Sequence, residues 1–162
     1  MPSFLSGFEL DFAIKLGLCL VLGVVIGVER ELRNKPAGIS THCFVMAGAC
    51  LFTFISTVAD PNSPARIAAQ VVSGIGFLGA GAILKLTEKQ KIRGLTTAAG
   101  IWMTAAGGVA AGLGQFVPAI VGAILAWIVL GLFWKLERKM GWAHVKKQSA
   151  RTDLPGSDVD DS

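Results

Sequence analysis

The chain has 162 residues, of which 52% are hydrophobic and only 16% are charged, and its mean hydropathy is +0.60. Typical soluble domains have about 25% charged residues, so this composition excludes an ordinary soluble protein and indicates one membrane domain. The net charge of +4 does not indicate nucleic-acid binding, because the basic residues are confined to particular loops.

The first three predicted elements are membrane-spanning helices. They cover about residues 10–28, 41–59 and 67–84, and each is close to the ~20 residues that cross a bilayer as a helix. Residues 67–84 contain no charge at all. Lys15 lies about a turn inside the first span, where two interpretations remain open. Its ammonium extends to the outer interface beside Asp11, or it is a functional charge within the membrane.

The last two spans come from one long apolar stretch. Residues 94–134 contain no charge, yet one helix of that length would be roughly 60 Å long, about twice the hydrocarbon core. The glycines that precede Pro118 predict a turn, and Pro118 itself suits the first turn of a new helix. Spans four and five are therefore predicted at about residues 95–113 and 119–134. The predicted fold class is all-α, a polytopic transmembrane bundle of about five helices with glycine-rich packing.

The distribution of basic residues predicts the orientation. The first loop, the third loop and the C-terminal segment hold 13 of the 15 Lys and Arg. By the positive-inside rule this places the N-terminus outside and the C-terminus in the cytoplasm. We predict a transmembrane domain over residues 1–142 and a disordered cytoplasmic tail over 143–162, because the tail is polar and ends acidic. Glu9 and Asp11 argue against a signal peptide.

Glycine and other small residues recur at helical spacing in spans three and four and predict close helix packing. The glycines concerned are Gly74, Gly76, Gly79, Gly81, Gly100, Gly108 and Gly112. The spacing of the first three matches a dinucleotide fingerprint, but that fingerprint needs a strand before it, and here it lies inside an apolar span. A broken helix whose carbonyls face an ion stays open as an alternative.

Polar residues at the span ends form two predicted clusters, since each is costly in a membrane without a partner. The inner cluster is Glu29, Arg30, Glu31, His42, Arg93, Thr96 and Thr97; the outer cluster is Asp60, Arg66 and Gln70. The inner residues either form a proton or cation path or have local roles. In the second case the threonines cap span four and the glutamates pair with loop cations. We predict no cofactor, and the residues leave any metal undefined. Cys19, Cys43 and Cys50 are predicted to be packing residues.

Five sequence blocks together resemble the MgtC/SapB family of bacterial inner-membrane proteins. They are GVERE at 27–31, KPAG at 35–38 with Thr41 and His42, RIAAQ at 66–70, SGIGFLGAG at 73–81 and RGLTTAA at 93–99. The resemblance implies a five-helix inner-membrane domain, a link to growth at low magnesium and, in pathogens, survival inside phagocytes. For some members it implies restraint of the F-type ATP synthase.

Three departures from the family pattern are present. Ser40 stands where the family often has an arginine. Ser63 stands where it often has an aspartate, so that the acid is displaced to Asp60. Larger members also have a soluble C-terminal domain, which we do not expect in this chain.

Two classes of function follow. The first is a non-enzymatic membrane regulator that binds the bilayer and another membrane complex or itself. The second is a small transporter or channel for magnesium, protons or another cation. We expect no enzyme, because the sequence contains no recognisable catalytic motif.

Overall fold

The structure is a computed structural model that describes residues 7–63, 65–84 and 94–139. These residues form five α helices and no strand, so the all-α fold class is confirmed. The helices are α1 (Gly7–Glu31), α2 (Ile39–Ala59), α3 (Ala65–Leu84), α4 (Leu95–Gly112) and α5 (Phe116–Lys139). The predicted tail, residues 143–162, lies outside the described residues.

The helices differ in how well their length and composition suit a membrane. Both α1 and α2 are long and apolar enough to cross one. Shorter apolar stretches occur in α3 (Ala68–Ile83) and α5 (Phe116–Leu132). The 18 residues of α4 span about 27 Å, close to the hydrocarbon thickness. Crossing by α3, α4 and α5 stays a prediction.

The turn between α4 and α5 has the conformation that its sequence demands. Gly114 has a φ of +77°, a left-handed conformation that suits glycine. Pro118 is the third residue of α5, where a missing amide hydrogen costs no helical hydrogen bond. The interruption predicted in the long apolar stretch is therefore present.

The chain divides into two compact units, Met1–Trp127 and Ile128–Ser162. The first contains α1 to α4 and the beginning of α5. The second, as far as the structure describes it, continues α5 to Lys139.

Helix α2 packs against α1, α3 and α4 in the first unit, and glycines permit the closest approaches. A Cβ added at Gly23 of α1 would lie 2.8 Å from Cα of Cys43, and one at Gly27 would overlap Ile39. In α4, a Cβ at Gly108 would overlap the Met46 carbonyl. At Gly112 it would lie 2.7 Å from Cβ of Thr53. Backbones this close gain dispersion energy that larger side chains would prevent.

The glycines of α3 have little contact with the other described helices. A Cβ at Gly74, Gly76 or Gly81 would meet nothing within 4 Å among the described residues, and one at Gly79 would meet only the Ala98 methyl at 3.6 Å. Helix α3 instead buries Ile75 in the core cluster that includes Ile101 of α4. A spacing of small residues identifies a smooth face, but it does not determine which neighbour, if any, covers that face.

Candidate functional site

One end of the bundle gathers most of the predicted inner cluster. There α1 ends while α2 and α4 begin, and we call this end, comprising residues 29–42 and 94–97, the basic edge. The glycine contact between Gly27 and Ile39 brings α1 to α2. A side-chain hydrogen bond brings α1 to α4 at the same level.

Arg30 is at the centre of the basic edge and is only 2% exposed. Its Nη2 donates a hydrogen bond of 2.9 Å to Oγ1 of Thr97 in the first turn of α4. Its Nη1 lies 3.9 Å from Oε2 of Glu29. Its Nε has no hydrogen-bond partner among the described residues. The guanidinium therefore joins two helices while one of its donors remains unused.

Glu29 is buried and paired with cations. Its Oε1 lies 2.8 Å from Nε of Arg33, one helical turn further along. Both oxygens form ion pairs without accepting a hydrogen bond of good geometry. The structure thus places Glu29, Arg30 and Thr97, three residues of the inner cluster, close together and adds Arg33. It favours ion pairing over a solvated face for Glu29. Arg93 lies outside the described residues.

Glu31 is separate from that group. Its Oε2 accepts a hydrogen bond of 3.2 Å from the backbone N–H of Ile39, the first residue of α2. The carboxylate fills the space beside Gly38, where any side chain would collide with it. A carboxylate in this position satisfies an otherwise unpaired amide and interacts favourably with the helix dipole. Glu31 therefore caps α2 and does not belong to the group that Glu29, Arg30, Arg33 and Thr97 form, although it was predicted in the inner cluster. Thr96 is exposed.

His42 is also separate from Glu29 and is fully buried between α2 and α4. Its Nδ1 lies 2.7 Å from Oγ1 of Thr104, and that hydroxyl donates to the carbonyl of Gly100 at 2.8 Å. The hydroxyl has one hydrogen, so which atom donates in the histidine–threonine bond depends on the tautomer of the imidazole. Nε2 has no hydrogen-bond partner in the described chain, although the Ala37 carbonyl is nearby. Thr104 was not predicted as a polar site residue.

The three residues of the predicted outer cluster have separate roles among the described residues. Asp60 ends α2, where its backbone N–H bonds to the Ser56 carbonyl at 3.0 Å. Arg66 is exposed, and Gln70 lines an apolar groove of about 510 Å³ between α2 and α3. Within the described ranges no ion pair or side-chain hydrogen bond joins these three residues.

A second buried charge lies towards the opposite end. The Lys15 side chain is 12% exposed, and its Nζ is 2.6 Å from Asp11. The ammonium also lies 4.9 Å from the ring centroid of Phe54, a favourable cation–π distance. The i,i+4 spacing predicts the ion pair, but only the tertiary structure reveals Phe54. Lys15 therefore packs against α2 instead of extending alone into water.

The three cysteines are free. Cys19 and Cys50 are fully buried between α1 and α2, with their thiols in hydrogen-bonding reach of each other. Within the described residues no three His, Cys, Asp or Glu side chains are grouped as metal ligands.

Comparison with known proteins relates this arrangement to a family. The sequence profile of the MgtC family matches residues 16–139. The chain belongs to the MgtC family. The resemblance noted in the sequence is therefore confirmed. Together with the two candidate spans, MgtC family membership makes the chain a membrane protein. The profile begins after Asp11 and Lys15, so their ion pair lies outside the matched part.

Individual relatives support the MgtC assignment. The chain is 46% identical over 114 residues to Protein MgtC of Salmonella typhimurium strain LT2, which covers 70% of this chain and 48% of that protein. It is 44% identical over 139 residues to the putative magnesium transporter YhiD of Escherichia coli K12, covering 80% and 64% respectively. It is 41% identical over 148 residues to an uncharacterized Haemophilus influenzae protein, covering 85% and 60%. The chain thus spans between about half and two thirds of these relatives. No solved structure matches it.

Proposed function

We propose that this chain is a non-enzymatic, multi-pass membrane regulator of the MgtC type that acts in adaptation to low magnesium. It does so by binding another membrane complex or a second copy of itself. Its family membership supports the general role. The names of two relatives, Protein MgtC and the putative magnesium transporter YhiD, support the connection to magnesium.

The buried guanidinium of Arg30 is the observation that favours a regulator over a cation conductor. A positive charge 2% exposed at the centre of the basic edge repels any cation that enters the same low-dielectric space. The adjacent carboxylate of Glu29 is already paired with Arg33. Magnesium also requires about six oxygen ligands in near-octahedral geometry, and this arrangement offers cations instead.

The open face of α3 supports the binding role. Gly74, Gly76 and Gly81 face no atom of the described chain within 4 Å, and Phe77 is 84% exposed. A smooth helix face of this kind permits close approach of a partner helix in a bilayer. The F-type ATP synthase is the membrane complex that the family resemblance implies, and it is the first candidate to test.

A small proton or cation transporter is the second candidate. Buried polar side chains follow one stripe of α2, namely His42, Thr53 and Ser56, and Thr104 of α4 joins His42. Polar groups inside a membrane often belong to ion or proton pathways. The printed name of YhiD as a putative magnesium transporter agrees with this alternative.

We also propose a location and an orientation. The distribution of basic residues in the sequence supports a bacterial inner-membrane position with an external N-terminus and a cytoplasmic C-terminus. The basic edge is then cytoplasmic.

Crosslinking in cells grown at low magnesium tests the regulator. We expect Gly76→Leu, which fills an open position on α3, to abolish both a reproducible membrane crosslink and support of growth. Gly17→Leu is the matched control, because Gly17 on α1 is equally open but belongs to another face.

Flux measurements with purified protein in liposomes test the alternative. We expect no magnesium or proton flux above that of empty liposomes. Two results together would support the transporter instead of the regulator. The first is a flux that the wild type shows and Glu29→Gln lacks, and the second is a membrane crosslink that Gly76→Leu leaves unchanged.

A further inference from the structure

Cys19 of α1 and Cys50 of α2 are two fully buried cysteines whose thiols lie in hydrogen-bonding reach of each other. Neither role proposed above uses them. The third free cysteine, Cys43, has its Sγ directed elsewhere, 3.7 Å from the carbonyl oxygen of Leu20. Cys19 and Cys50 therefore differ from a single buried cysteine, because each sulfur has a possible reaction partner beside it.

The register of the α1–α2 hairpin explains why the two sulfurs meet. Gly27 contacts the first residue of α2, and Gly23 contacts that helix one turn later, so the helices are antiparallel. One further turn places Cys19 about three residues, or about 4.5 Å along the helix axis, from the level of Cys50. Side chains on a helix tilt towards its N-terminus. In antiparallel helices, the tilts of Cys19 and Cys50 therefore bring their sulfurs towards each other.

A polar ion pair lies between the surface of the bundle and these thiols. Burial alone usually makes a thiol unreactive. Cys50, however, interacts electrostatically with both Lys15 and Asp11. The Lys15 ammonium lies over the ring of Phe54, one turn from Cys50, and the Asp11 side chain is 49% exposed. The ion pair thus provides polar groups along which a small polar oxidant and a released proton can pass.

We propose that Cys19 and Cys50 form an oxidisable pair, which hydrogen peroxide converts into a disulfide that joins α1 to α2. In the first step Cys50 loses its proton, and its sulfur attacks one oxygen of the peroxide. The O–O bond breaks, and the other oxygen leaves as water with that proton. Cys50 is then a sulfenic acid.

The second step uses the neighbouring thiol. The sulfur of Cys19 attacks the sulfenic sulfur of Cys50, the S–O bond breaks, and the hydroxyl leaves as a second water with the proton of Cys19. The two thiols lose two electrons, which reduce one peroxide to two waters. The sulfurs move from hydrogen-bonding reach to a bond of about 2.05 Å. The disulfide does not depend on the regulatory or transport role proposed above.

Counting free thiols in the purified full chain tests the proposal. The reduced protein in detergent is treated with hydrogen peroxide, the peroxide is removed, and the chain is unfolded in SDS with a maleimide reagent of known mass. We expect three labels per chain before oxidation and one label after it, on a monomer, with three restored by dithiothreitol. Three labels after peroxide treatment, or a disulfide that joins two chains instead, would overturn the proposal.

Three single variants assign the bond to its two cysteines. Cys43→Ser should retain the disulfide, so that its two labels fall to none after oxidation. In Cys19→Ser, Cys50 should stop at the sulfenic acid, which dimedone traps, whereas in Cys50→Ser both labels should remain. If a serine variant does not fold, alanine replaces serine with the same expected result. A linkage that includes Cys43, or the absence of a dimedone adduct on Cys50 in Cys19→Ser, would contradict the site.

Discussion

Thr104 illustrates how one hydroxyl joins a buried ring to a neighbouring helix. Its Oγ1 lies 2.8 Å from the Gly100 carbonyl oxygen and 2.7 Å from Nδ1 of His42. The imidazole of α2 is thereby held by α4. A fully buried histidine bonded in this way is a structural element of the α2–α4 contact.

Thr104→Val should destabilise the protein by about 1–3 kcal/mol, because it leaves the buried Nδ1 of His42 without its hydrogen-bond partner. Unfolding in detergent followed by tryptophan fluorescence provides the measurement. Thr96→Val on the same helix is the control, since Thr96 is exposed, and its effect should be close to zero. Equal effects of the two substitutions would show that the histidine bond does not contribute.

Glu29→Gln should destabilise the protein by roughly 3–5 kcal/mol, the range for a buried ion pair that loses one partner. The reason is that Arg30 and Arg33 then remain without their shared carboxylate. The same unfolding assay measures it, with exposed Glu9→Gln as the control. A decrease of less than about 1 kcal/mol in the free energy of unfolding would show that the ion pairs of Glu29 are exposed to solvent.

Residue roles were only partly predictable from the sequence. Glu29, Arg30 and Thr97 were placed together because span ends of alternating direction meet at one membrane edge. The sequence did not distinguish Glu31 from Glu29, because the direction of each side chain depends on the turn that follows α1. Thr104 has no sequence signal of its own, since its partner is 62 positions away.

At the scale of the helices, two glycines of similar sequence context have opposite environments. Gly108 of α4 lies against the backbone of Met46, whereas Gly76 of α3 meets no atom within 4 Å in the described chain. Both were predicted to pack. Helix bounds were predicted within a few residues, because charge and hydropathy determine where a span ends. The identity of the packed face depends on tertiary contacts that one sequence does not reveal.

The pair provides a direct test. Gly108→Ala should destabilise the protein by about 1–3 kcal/mol through overpacking. Gly76→Ala should be neutral or stabilise it by up to about 1 kcal/mol, since alanine is the better helix former. Measured free energies of unfolding in one detergent decide between them. Similar losses for both would mean that the face of α3 is covered as tightly as that of α4.

For the whole molecule, the loops with basic residues all predict the same orientation in the membrane. The two ends of the bundle differ in composition, with Arg30 and Arg33 at one end and the Lys15–Asp11 pair towards the other. The positive-inside rule counts the loops and not this internal pair. The sequence was therefore sufficient to predict an orientation, but not the buried pair's contact with Phe54.

A reporter enzyme fused after Ser162 should be active if it is of a kind that works only in the cytoplasm. A reporter that works only outside the cytoplasm should be inactive at the same position. A cysteine introduced at Asn62, in the turn after α2, should react with a membrane-impermeant reagent added outside, in a background that lacks the three native cysteines. An external C-terminus, or an Asn62 site that is labelled only after cell lysis, would reverse the proposed orientation.

The bond between Glu31 and Ile39 has a consequence for biosynthesis. It closes a segment of only eight residues, and short closures are fast and have a small entropic cost. The α1–α2 hairpin is therefore expected to pair as soon as both helices leave the ribosome, before α4 is translated. A chain ended after Ser63 should already allow a short bifunctional reagent to join Cys19 to Cys50, and Gly27→Leu should prevent it. The first two helices would then be a template in the membrane, onto which the later helices assemble.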